Sequence, residues 1–387
     1  MLTEDIIQRI KPGEIVDLTS RMIRIPSHKQ AEGREQGMCS FIREWFESNS
    51  IDYILQSSEN MEIPIGVLKG RRIENGILLN GHMDTANVDY MDHPYSGNVD
   101  HEWVYGRGAT DMKGALASMM VAFRLIKEFT MPSTPIVLYP TIGEETGQCA
   151  ASIGFSNDLN LKYAIVGEPT GLNIATRNKG LYFMKIVSKG RSAHLAVPSE
   201  GVNAIGSLIT SINVLETEYF TQRCRETNGE SLFVLCGISG GSEGIPDYAE
   251  ALYNRRTIKG DSFQKDRAEM LKVIHRMRES NSSLDICIEF CDEYGIELAA
   301  MEEPIDKEFV RTTVDALQPH IGSNITIFPG WTEGSIFREK GIDTLIFGPG
   351  HLKDAHTPNE KISNNQLYRA CEGYIRILTA HNERFEE

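Results

Sequence analysis

The chain has 387 residues, of which 41% are hydrophobic and 24% charged, which is the composition of a folded globular protein long enough for two domains. Its net charge of −15 repels phosphate backbones, so we expect no nucleic-acid partner. No apolar run approaches the roughly 20 residues that cross a bilayer, and the start of the chain is typical of an amphipathic helix and not of a signal peptide. The seven cysteines form no C-x-x-C pair. We therefore expect a cytoplasmic protein without a membrane partner.

The first part of the chain alternates helix and strand signals. Helical apolar spacing marks 13–25, 34–48 and 111–129, and short β-rich runs occupy 63–70, 76–84, 135–145 and 163–169. Asp111 is expected near the N-terminus of the third helix, where a negative charge suits the helix dipole. Strands that alternate with helices predict an α/β sheet covered by helices on both faces.

From about Leu181 the rhythm changes. The signals are strand, helix, a two-stranded hairpin, helix and strand, at 181–190, 203–220, 231–241, 248–258, 262–280 and 284–290. This β-α-β-β-α-β order is the split βαβ plan of a ferredoxin-like sandwich. The α/β pattern then resumes, so we predict a smaller domain, 179–295, inserted into a larger one made of 1–178 and 296–387.

Polar side chains stand where several predicted strands end, and in open α/β sheets that edge binds ligands. They are His82, Asp84, Asp111, Glu144, Glu145, Glu168 and His356. Cations such as zinc take this mixture of imidazole and carboxylate ligands, and adjacent carboxylates are costly unless a cation or proton compensates them. Each piece alone is better explained as a turn or a solvated face, but the joint pattern indicates a metal site.

Three other classes of function leave weaker signals. Ser239 and Ser242 each fit G-x-S-x-G, but that motif needs a strand-to-helix turn and the segment that follows is a predicted strand. Gly106 and Gly108 fit the start of a nucleotide-binding G-x-G-x-x-G, but Asp111 replaces its last glycine and would repel a pyrophosphate. A non-catalytic binding protein is the third alternative, and the full set of candidate metal ligands argues against it.

Seven motifs carry a resemblance to a known family: GHMDT, YGRGATDMKGALA, TIGEETG, VGEPT, GRSAHLAVPSEGVNAI, YNRRT and FGPGHLKDAHTPNE. They resemble those of the co-catalytic zinc metallopeptidases and deacylases, which include acetylornithine deacetylase, succinyl-diaminopimelate desuccinylase, aminoacylase and glutamate carboxypeptidase. The resemblance covers nearly the whole chain. It implies a zinc-exopeptidase-like catalytic domain with an inserted lid and dimerisation domain.

The same resemblance implies a metal-dependent amide hydrolase that removes the acyl group from an N-acyl amino acid. A metallo-exopeptidase, acting on dipeptides or a C-terminal residue, is the alternative, because both reactions break an amide beside a carboxylate. The segment GEPTGLNIATRNKG resembles the acetylornithine and succinyl-diaminopimelate branch, which favours deacylation.

The resemblance also implies a role for each polar residue. Two divalent metal ions, zinc first and cobalt or manganese as alternatives, would be bound by His82 and Glu168 on one side and Glu145 and His356 on the other, with Asp111 bridging. Asp84 would accept the second ring N–H of His82 and fix its tautomer. Glu144 would be the general base that takes a proton from the attacking water and delivers it to the departing amine.

In the inserted domain, His194 resembles the family histidine that reaches a partner subunit's site and steadies the oxyanion, which implies a homodimer. Arg256 resembles the arginine that binds the substrate α-carboxylate, with a salt bridge across the hairpin as the structural alternative. Asn203 and the backbone of 348–350, which includes Gly350, resemble further substrate contacts, although a glycine-rich turn explains the latter nearly as well. The other histidines are expected to be solvated: His28, His93, His101, His275, His320, His351 and His381.

Two glutamates depart from the family pattern. Glu333 stands where many relatives have Asp, and Glu243 where many have Asn. Neither is a predicted metal ligand, so the departures bear on the substrate and not on hydrolysis. The extra negative charge of Glu243 leads us to expect a substrate with a cationic side chain, such as that of ornithine or lysine.

Overall fold

The computed structural model describes residues 2–385, which form two compact units. Unit 1 comprises Met1–Asn178, Glu302–Phe328 and Thr332–Glu387, and unit 2 comprises Lys179–Met301 and Pro329–Trp331. The sequence placed the domain boundaries after residues 178 and 295, whereas the units divide after Asn178 and Met301.

The helices in chain order are α1 (Leu2–Ile7), α2 (Pro12–Ile23), α3 (Gln36–Ser48), α4 (Gly114–Phe129), α5 (Ala150–Ile153), α6 (Ala204–Leu215), α7 (Thr221–Glu226), α8 (Phe263–Ser280), α9 (Lys307–Ile321), α10 (Gly334–Glu339) and α11 (Asn364–Glu383). Capping residues explain several of these bounds. Asp306, for example, caps α9 by accepting the backbone N–H of Glu308 at 2.9 Å, and Gly322 ends that helix with φ 76°.

The strands in chain order are β1 (Tyr53–Ser58), β2 (Met61–Leu68), β3 (Gly76–His82), β4 (Trp103–Tyr105), β5 (Ile136–Thr141), β6 (Leu161–Val166), β7 (Ile174–Asn178), β8 (Gly180–Lys189), β9 (Leu232–Gly240), β10 (Tyr248–Thr257), β11 (Asp285–Phe290), β12 (Ile325–Phe328), β13 (Asp343–Ile346) and β14 (Lys361–Ser363). Most of them lie where the sequence predicted a strand. The edge strand β1 was not expected, because its half-exposed residues carry no clear apolar alternation.

Unit 1 is built on a mixed sheet whose strands lie in the order β1-β2-β5-β3-β6-β13-β7-β12. The central strands β5, β3, β6 and β13 are parallel neighbours, so their carboxyl ends meet at one edge of the sheet. Every residue of β3 and β5 is buried, as expected for parallel strands covered on both faces. Helices α4 and α11 pack against each other in the same unit.

One boundary in unit 1 differs from the sequence prediction. Helix α4 begins at Gly114, and Asp111 lies before it in the irregular turn Ala109–Lys113, with φ −125° and ψ 95°. The side chain of Glu360 accepts the backbone N–H groups of Thr110 and Asp111 at 3.0 and 3.1 Å and so holds this turn in place. Asp111 is therefore a turn residue and not part of the first turn of the helix.

Unit 2 has the predicted β-α-β-β-α-β order, with an antiparallel sheet in the order β11-β8-β10-β9. Its core is formed by apolar side chains of this sheet and of α6 and α8, among them Met184, Leu208 and Ile274. The hairpin β9–β10 was also predicted. Because a strand follows Ser239 and Ser242, the strand-to-helix turn of a serine hydrolase does not exist at this place.

The predicted α/β fold with an inserted ferredoxin-like domain is thus confirmed. Each of the helices in residues 2–385 is too short or too polar to span a bilayer.

Candidate metal centre

Three strand ends bring candidate ligands to one edge of the unit 1 sheet. His82 is the last residue of β3, Glu144 and Glu145 follow the end of β5, and Glu168 follows the end of β6. The Nε2 atom of His82 lies 3.9 Å from Oε2 of Glu144 and 3.8 Å from Oε1 of Glu168. Because these strands are parallel neighbours, the sheet itself places the side chains together.

Asp111 lies between two imidazoles. Its Oδ1 is 3.1 Å from Nε2 of His82, and its Oδ2 is 3.3 Å from Nε2 of His356. The Nε2 atom of His356 is also 3.0 Å from Oε1 of Glu145. Ligand atoms of His82, Asp111 and Glu145 all lie within 4.8 Å of one another. The two oxygens of the Asp111 carboxylate therefore face two different imidazoles within one group of donor atoms.

Asp84 orients its neighbours in two ways. Its carboxylate oxygens accept the backbone N–H groups of Glu144 at 3.3 Å and Glu145 at 2.9 Å, so it fixes the loop that carries both glutamates. The Nδ1 of His82 donates to the backbone carbonyl of Asp84 at 2.9 Å, while the Asp84 carboxylate lies 3.6 Å away. The structure differs here from the prediction, because the main chain and not the carboxylate is the nearer acceptor. In the neutral ring, either acceptor would leave Nε2 of His82 without a proton and facing the site.

Burial and mutual repulsion shape the electrostatics of this cluster. Burial raises the pKa of Glu144 and of Glu168 well above the usual range, and neighbouring carboxylates add to the effect. Burial opposes a charged ring at His356, but Glu145 and Asp111 outweigh it and raise the pKa of His356 to about 11. The pocket therefore favours positive charge at its centre.

The residues present fit a pair of divalent cations. Two imidazole nitrogens and three carboxylates are the N and O ligands that zinc and similar metals take. Together with Asp84 and Glu144, the three carboxylate ligands make five carboxylates at this site, and their mutual repulsion favours a bound positive charge. The five candidate ligands are His82, Asp111, Glu145, Glu168 and His356, and all of them lie in unit 1.

Sequence reasoning missed the support of Asp111. Glu360 is 1% exposed, accepts the N–H groups of Thr110 and Asp111, and forms an ion pair with the buried guanidinium of Arg107. Lys113, also buried, donates to the carbonyls of Met22 and Ile25 at the end of α2. Arg107 and Glu360 both lie inside motifs that the sequence shares with the family, and their position in these motifs could have marked them as residues of the site.

The predicted substrate-binding residues lie in unit 2, apart from Gly350. His194 is exposed, and its Nδ1 accepts the backbone N–H of Ala196 at 3.1 Å. Asn203 caps α6, because its Oδ1 accepts the N–H of Gly206 at 3.0 Å. Arg256 is half-buried in β10.

The neighbouring Arg255 occupies the opposite face of β10, as the alternation of a strand requires. It is fully buried and pairs with Asp266 at 2.7 Å and Asp261 at 2.9 Å. Arg255 thus forms buried ion pairs on the inner face of β10.

The turn 348–350 uses its backbone groups within the protein. The N–H of Gly350 donates to Oε1 of Gln366 at 2.5 Å, and its carbonyl accepts the N–H of Gly171 at 2.7 Å. Gly348 is similarly bonded to Thr170 and Leu172. This pattern favours the structural explanation of the turn.

Two histidines are not solvated as predicted. His28 is buried, and its Nδ1 accepts the hydroxyl of Tyr95 at 2.9 Å. His381 is 2% exposed on α11, where it packs against Tyr163 and Phe309. The prediction was wrong for both, because each lies on the face that its segment turns inward.

The chain is similar to several known proteins. A family model described as Peptidase family M20/M25/M40 matches residues 78–380. A probable succinyl-diaminopimelate desuccinylase of Staphylococcus epidermidis is 26% identical to the chain, over 90% of this chain and 93% of that protein.

Two solved structures share the fold. A tripeptidase from Staphylococcus aureus has a TM-score of 0.77 at 18% identity and covers 97% of this chain and 99% of its own. The Bacillus subtilis YXEP protein, described as a dinuclear metal binding peptidase, has a TM-score of 0.72 at 16% identity and covers 96% of this chain and 98% of its own.

Proposed function

Because the chain belongs to peptidase family M20/M25/M40, we propose that this hydrolase uses two divalent metal ions to remove the acyl group from an N-acyl amino acid. Membership confirms the family resemblance that the motifs indicated. The observation that carries the proposal is Asp111, whose two oxygens each contact a different imidazole within a cluster of carboxylates. Zinc is the metal we propose, with cobalt and manganese as alternatives.

Deacylation is favoured over peptide cleavage by relatives that match the chain over about 90% of its length and are named probable succinyl-diaminopimelate desuccinylases. The identity of 26% does not carry a substrate across by itself. The family description as peptidases supports the alternative of an exopeptidase. Both substrates would be small molecules with a carboxylate beside the amide.

When bound, a metal pair would acidify an attacking water and polarise the amide carbonyl. His82 and Glu168 would hold one ion, Glu145 and His356 the other, and Asp111 both. The tautomer of His82 supports this assignment, because Nδ1 donates to Asp84 and Nε2 is left to bind.

Glu144 is the proposed general base. Its side chain lies at the site, 3.9 Å from Nε2 of His82, and its backbone is held by Asp84. It would take a proton from the attacking water and deliver it to the nitrogen of the departing amine, so that the proton is conserved between the two steps. Cations at the site would favour its ionised form, since an opposite charge lowers a carboxyl pKa.

His194, Arg256 and Asn203 are proposed to act on the substrate from unit 2. A neutral His194 ring that accepts a hydrogen bond at Nδ1 carries its proton on Nε2, which suits donation to an oxyanion. Arg256 would bind the α-carboxylate with its planar guanidinium. Asn203 would contact the substrate while its Oδ1 caps α6. Gly350 remains a weaker proposal, because its N–H is already bonded to Gln366.

We also propose a homodimer, with His194 acting on the partner subunit's site. Strand β9 is an edge of the unit 2 sheet and exposes Val234, Leu235 and Ile238 by 47%, 45% and 56%. Edge strands with exposed apolar side chains pair readily with another chain. The cytoplasm is the proposed location.

Glu243 supports a substrate with a cationic side chain, because it adds an exposed negative charge between β9 and β10. N-acetylornithine should therefore be hydrolysed faster than N-acetylglutamate. Equal rates for the two would remove this part of the proposal.

The deciding experiment is a panel of N-acetyl and N-succinyl amino acids and dipeptides, assayed with added zinc, cobalt or manganese. We expect hydrolysis of acyl amino acids that stops with a chelator and returns with one of these metals. A preference for dipeptides would instead support the exopeptidase. Hydrolysis that persists in chelator after dialysis would contradict the metal mechanism.

A further inference from the structure

The carboxylate of Glu333 lies beneath the metal centre and takes no part in the mechanism above. It is 1% exposed, at the start of α10. Three uncharged groups donate hydrogen bonds to it. Asn80 donates to Oε2 at 3.2 Å, and the hydroxyl of Thr141 donates to the same oxygen. The hydroxyl of Ser152 donates to Oε1.

The three donors lie close in the chain to candidate metal ligands. Asn80 lies in β3, two residues before His82. Thr141 ends β5 and Ser152 lies in α5, so the two enclose the loop with Glu144 and Glu145. One buried carboxylate therefore joins the strand that presents a candidate ligand to both ends of the loop that presents another.

We propose that Glu333 is a positioning residue of the metal centre, which fixes the end of β3 relative to the loop between β5 and α5. This inference rests on the proposed function, since it assumes that the five candidate ligands bind metal. Removing a carboxyl group that orients ligands typically weakens metal binding 10- to 100-fold.

The hydrogen-bond chemistry of the partners separates two substitutions. In Glu333→Gln the amide oxygen can still accept from Asn80 and Thr141, while the amide NH2 can donate to the Ser152 hydroxyl, which accepts as well as donates. Glu333→Ala removes all three bonds. If positioning is the role, E333Q should bind metal within a few-fold of the wild type and E333A at least 10-fold more weakly.

Asp343→Asn is the matched control. Asp343 is also a buried carboxylate of unit 1, but it lies at the amino end of β13, where it accepts the N–H groups of Ile305 and Asp306 and pairs with Arg338. Its loss should lower the stability of the fold without changing metal binding.

The test is calorimetric titration of metal-free wild type, E333A, E333Q and D343N with zinc, together with the visible spectrum of the cobalt-loaded proteins and their urea unfolding. We expect E333A alone to lose 10-fold or more in affinity at one position and to change the cobalt spectrum. Unchanged affinity in E333A, with a loss of stability like that of D343N, would overturn the inference and leave the proposed function standing. A wild type that binds no zinc would overturn both. If E333A does not fold, Ser152→Ala and Thr141→Val, which each remove one donor, give the same readout, and unchanged zinc affinity in both would overturn the inference.

Discussion

Glu144 and Glu145 are adjacent in the chain, yet their side chains have different surroundings. Oε1 of Glu145 is 3.0 Å from Nε2 of His356, whereas Oε2 of Glu144 approaches His82 at 3.9 Å. We expect Glu144→Gln to lower kcat by about 10²- to 10⁴-fold, because it removes the general base. It should keep two bound metals, as measured by elemental analysis.

Glu145→Gln is the matched comparison, because it changes the same chemical group one residue away. It should lose metal at one position and activity with it. Activity of E144Q close to that of the wild type would contradict the proposed base.

At this scale the sequence predicted which side chains meet, because ligands at the ends of parallel strands reach the same sheet edge whatever the details of the loops. It did not predict Glu360, and it connected Glu333 with the substrate, whereas Glu333 is buried against Asn80 and two hydroxyl groups. Both contact segments distant in the chain, Glu360 through backbone N–H groups of the turn before α4 and Glu333 through small polar side chains. Such contacts leave no periodic signal in the residues around them.

At the scale of elements, α11 carries a buried histidine. Burial lowers the pKa of His381 to about 3, so its ring is neutral in the folded protein, whereas an unfolded histidine titrates near 6.5. Below pH 6.5 the unfolded chain binds a proton that the folded protein does not, and stability falls as the pH is lowered toward 3. This residue alone should cost about 2 kcal/mol between pH 7.5 and pH 5.

We expect His381→Leu to reduce that pH dependence by about the same amount, measured by urea unfolding at both values. His275→Leu, which changes a histidine on the exposed face of α8, is the control and should leave the pH dependence unchanged. Equal pH dependence in H381L and the wild type would contradict the assignment. The burial could have been predicted, since His381 lies three and four residues after Leu378 and Ile377 on the apolar side of α11.

Helix α6 offers a test of the two roles of Asn203. Asn203→Ala removes the cap and should lower the stability of unit 2 by about 1 kcal/mol. Asn203→Ser restores a capping oxygen but not the amide, so it should recover the stability and still raise KM several-fold. An unchanged KM in N203S would show that the residue acts only as a cap.

The long elements were predictable because their apolar periodicity is unambiguous, as in α4 and α8. Strands β1 and β7 and helix α10 were not, since short or half-exposed segments give no reliable period. The start of α4 was misplaced because the backbone at Asp111 is not helical, with φ −125° and ψ 95°, and the contact that holds this turn comes from the distant Glu360.

At the scale of the whole molecule, the proposed exchange of His194 between subunits can be tested by mixing. Glu144→Gln and His194→Ala should each be nearly inactive alone. In a mixed dimer, the subunit with the H194A substitution keeps Glu144 and receives an intact His194 from its partner, so one of two sites is complete. An equal mixture, allowed to exchange subunits, should recover about a quarter of the wild-type activity, since half of the dimers are mixed.

No recovery after confirmed subunit exchange would mean that His194 acts within its own chain or not at all.

The two-unit architecture followed from the sequence because the order of strands and helices changes at both ends of the insertion. The homodimer is implied only by the family resemblance, because an exposed edge strand is compatible with several partners.

The order of the two units along the chain bears on how the enzyme is made. Unit 2 is almost continuous, from Lys179 to Met301, whereas unit 1 is split around it. During translation, unit 2 can fold as one piece, but the sheet of unit 1 cannot be completed before β12 and β13 are made, and the proposed metal site cannot be completed before His356 is made. At about 5–20 residues per second, His82 is synthesised roughly tens of seconds before His356. Metal insertion should therefore be a late event in biosynthesis, and chaperones that shield the unfinished sheet have time to act.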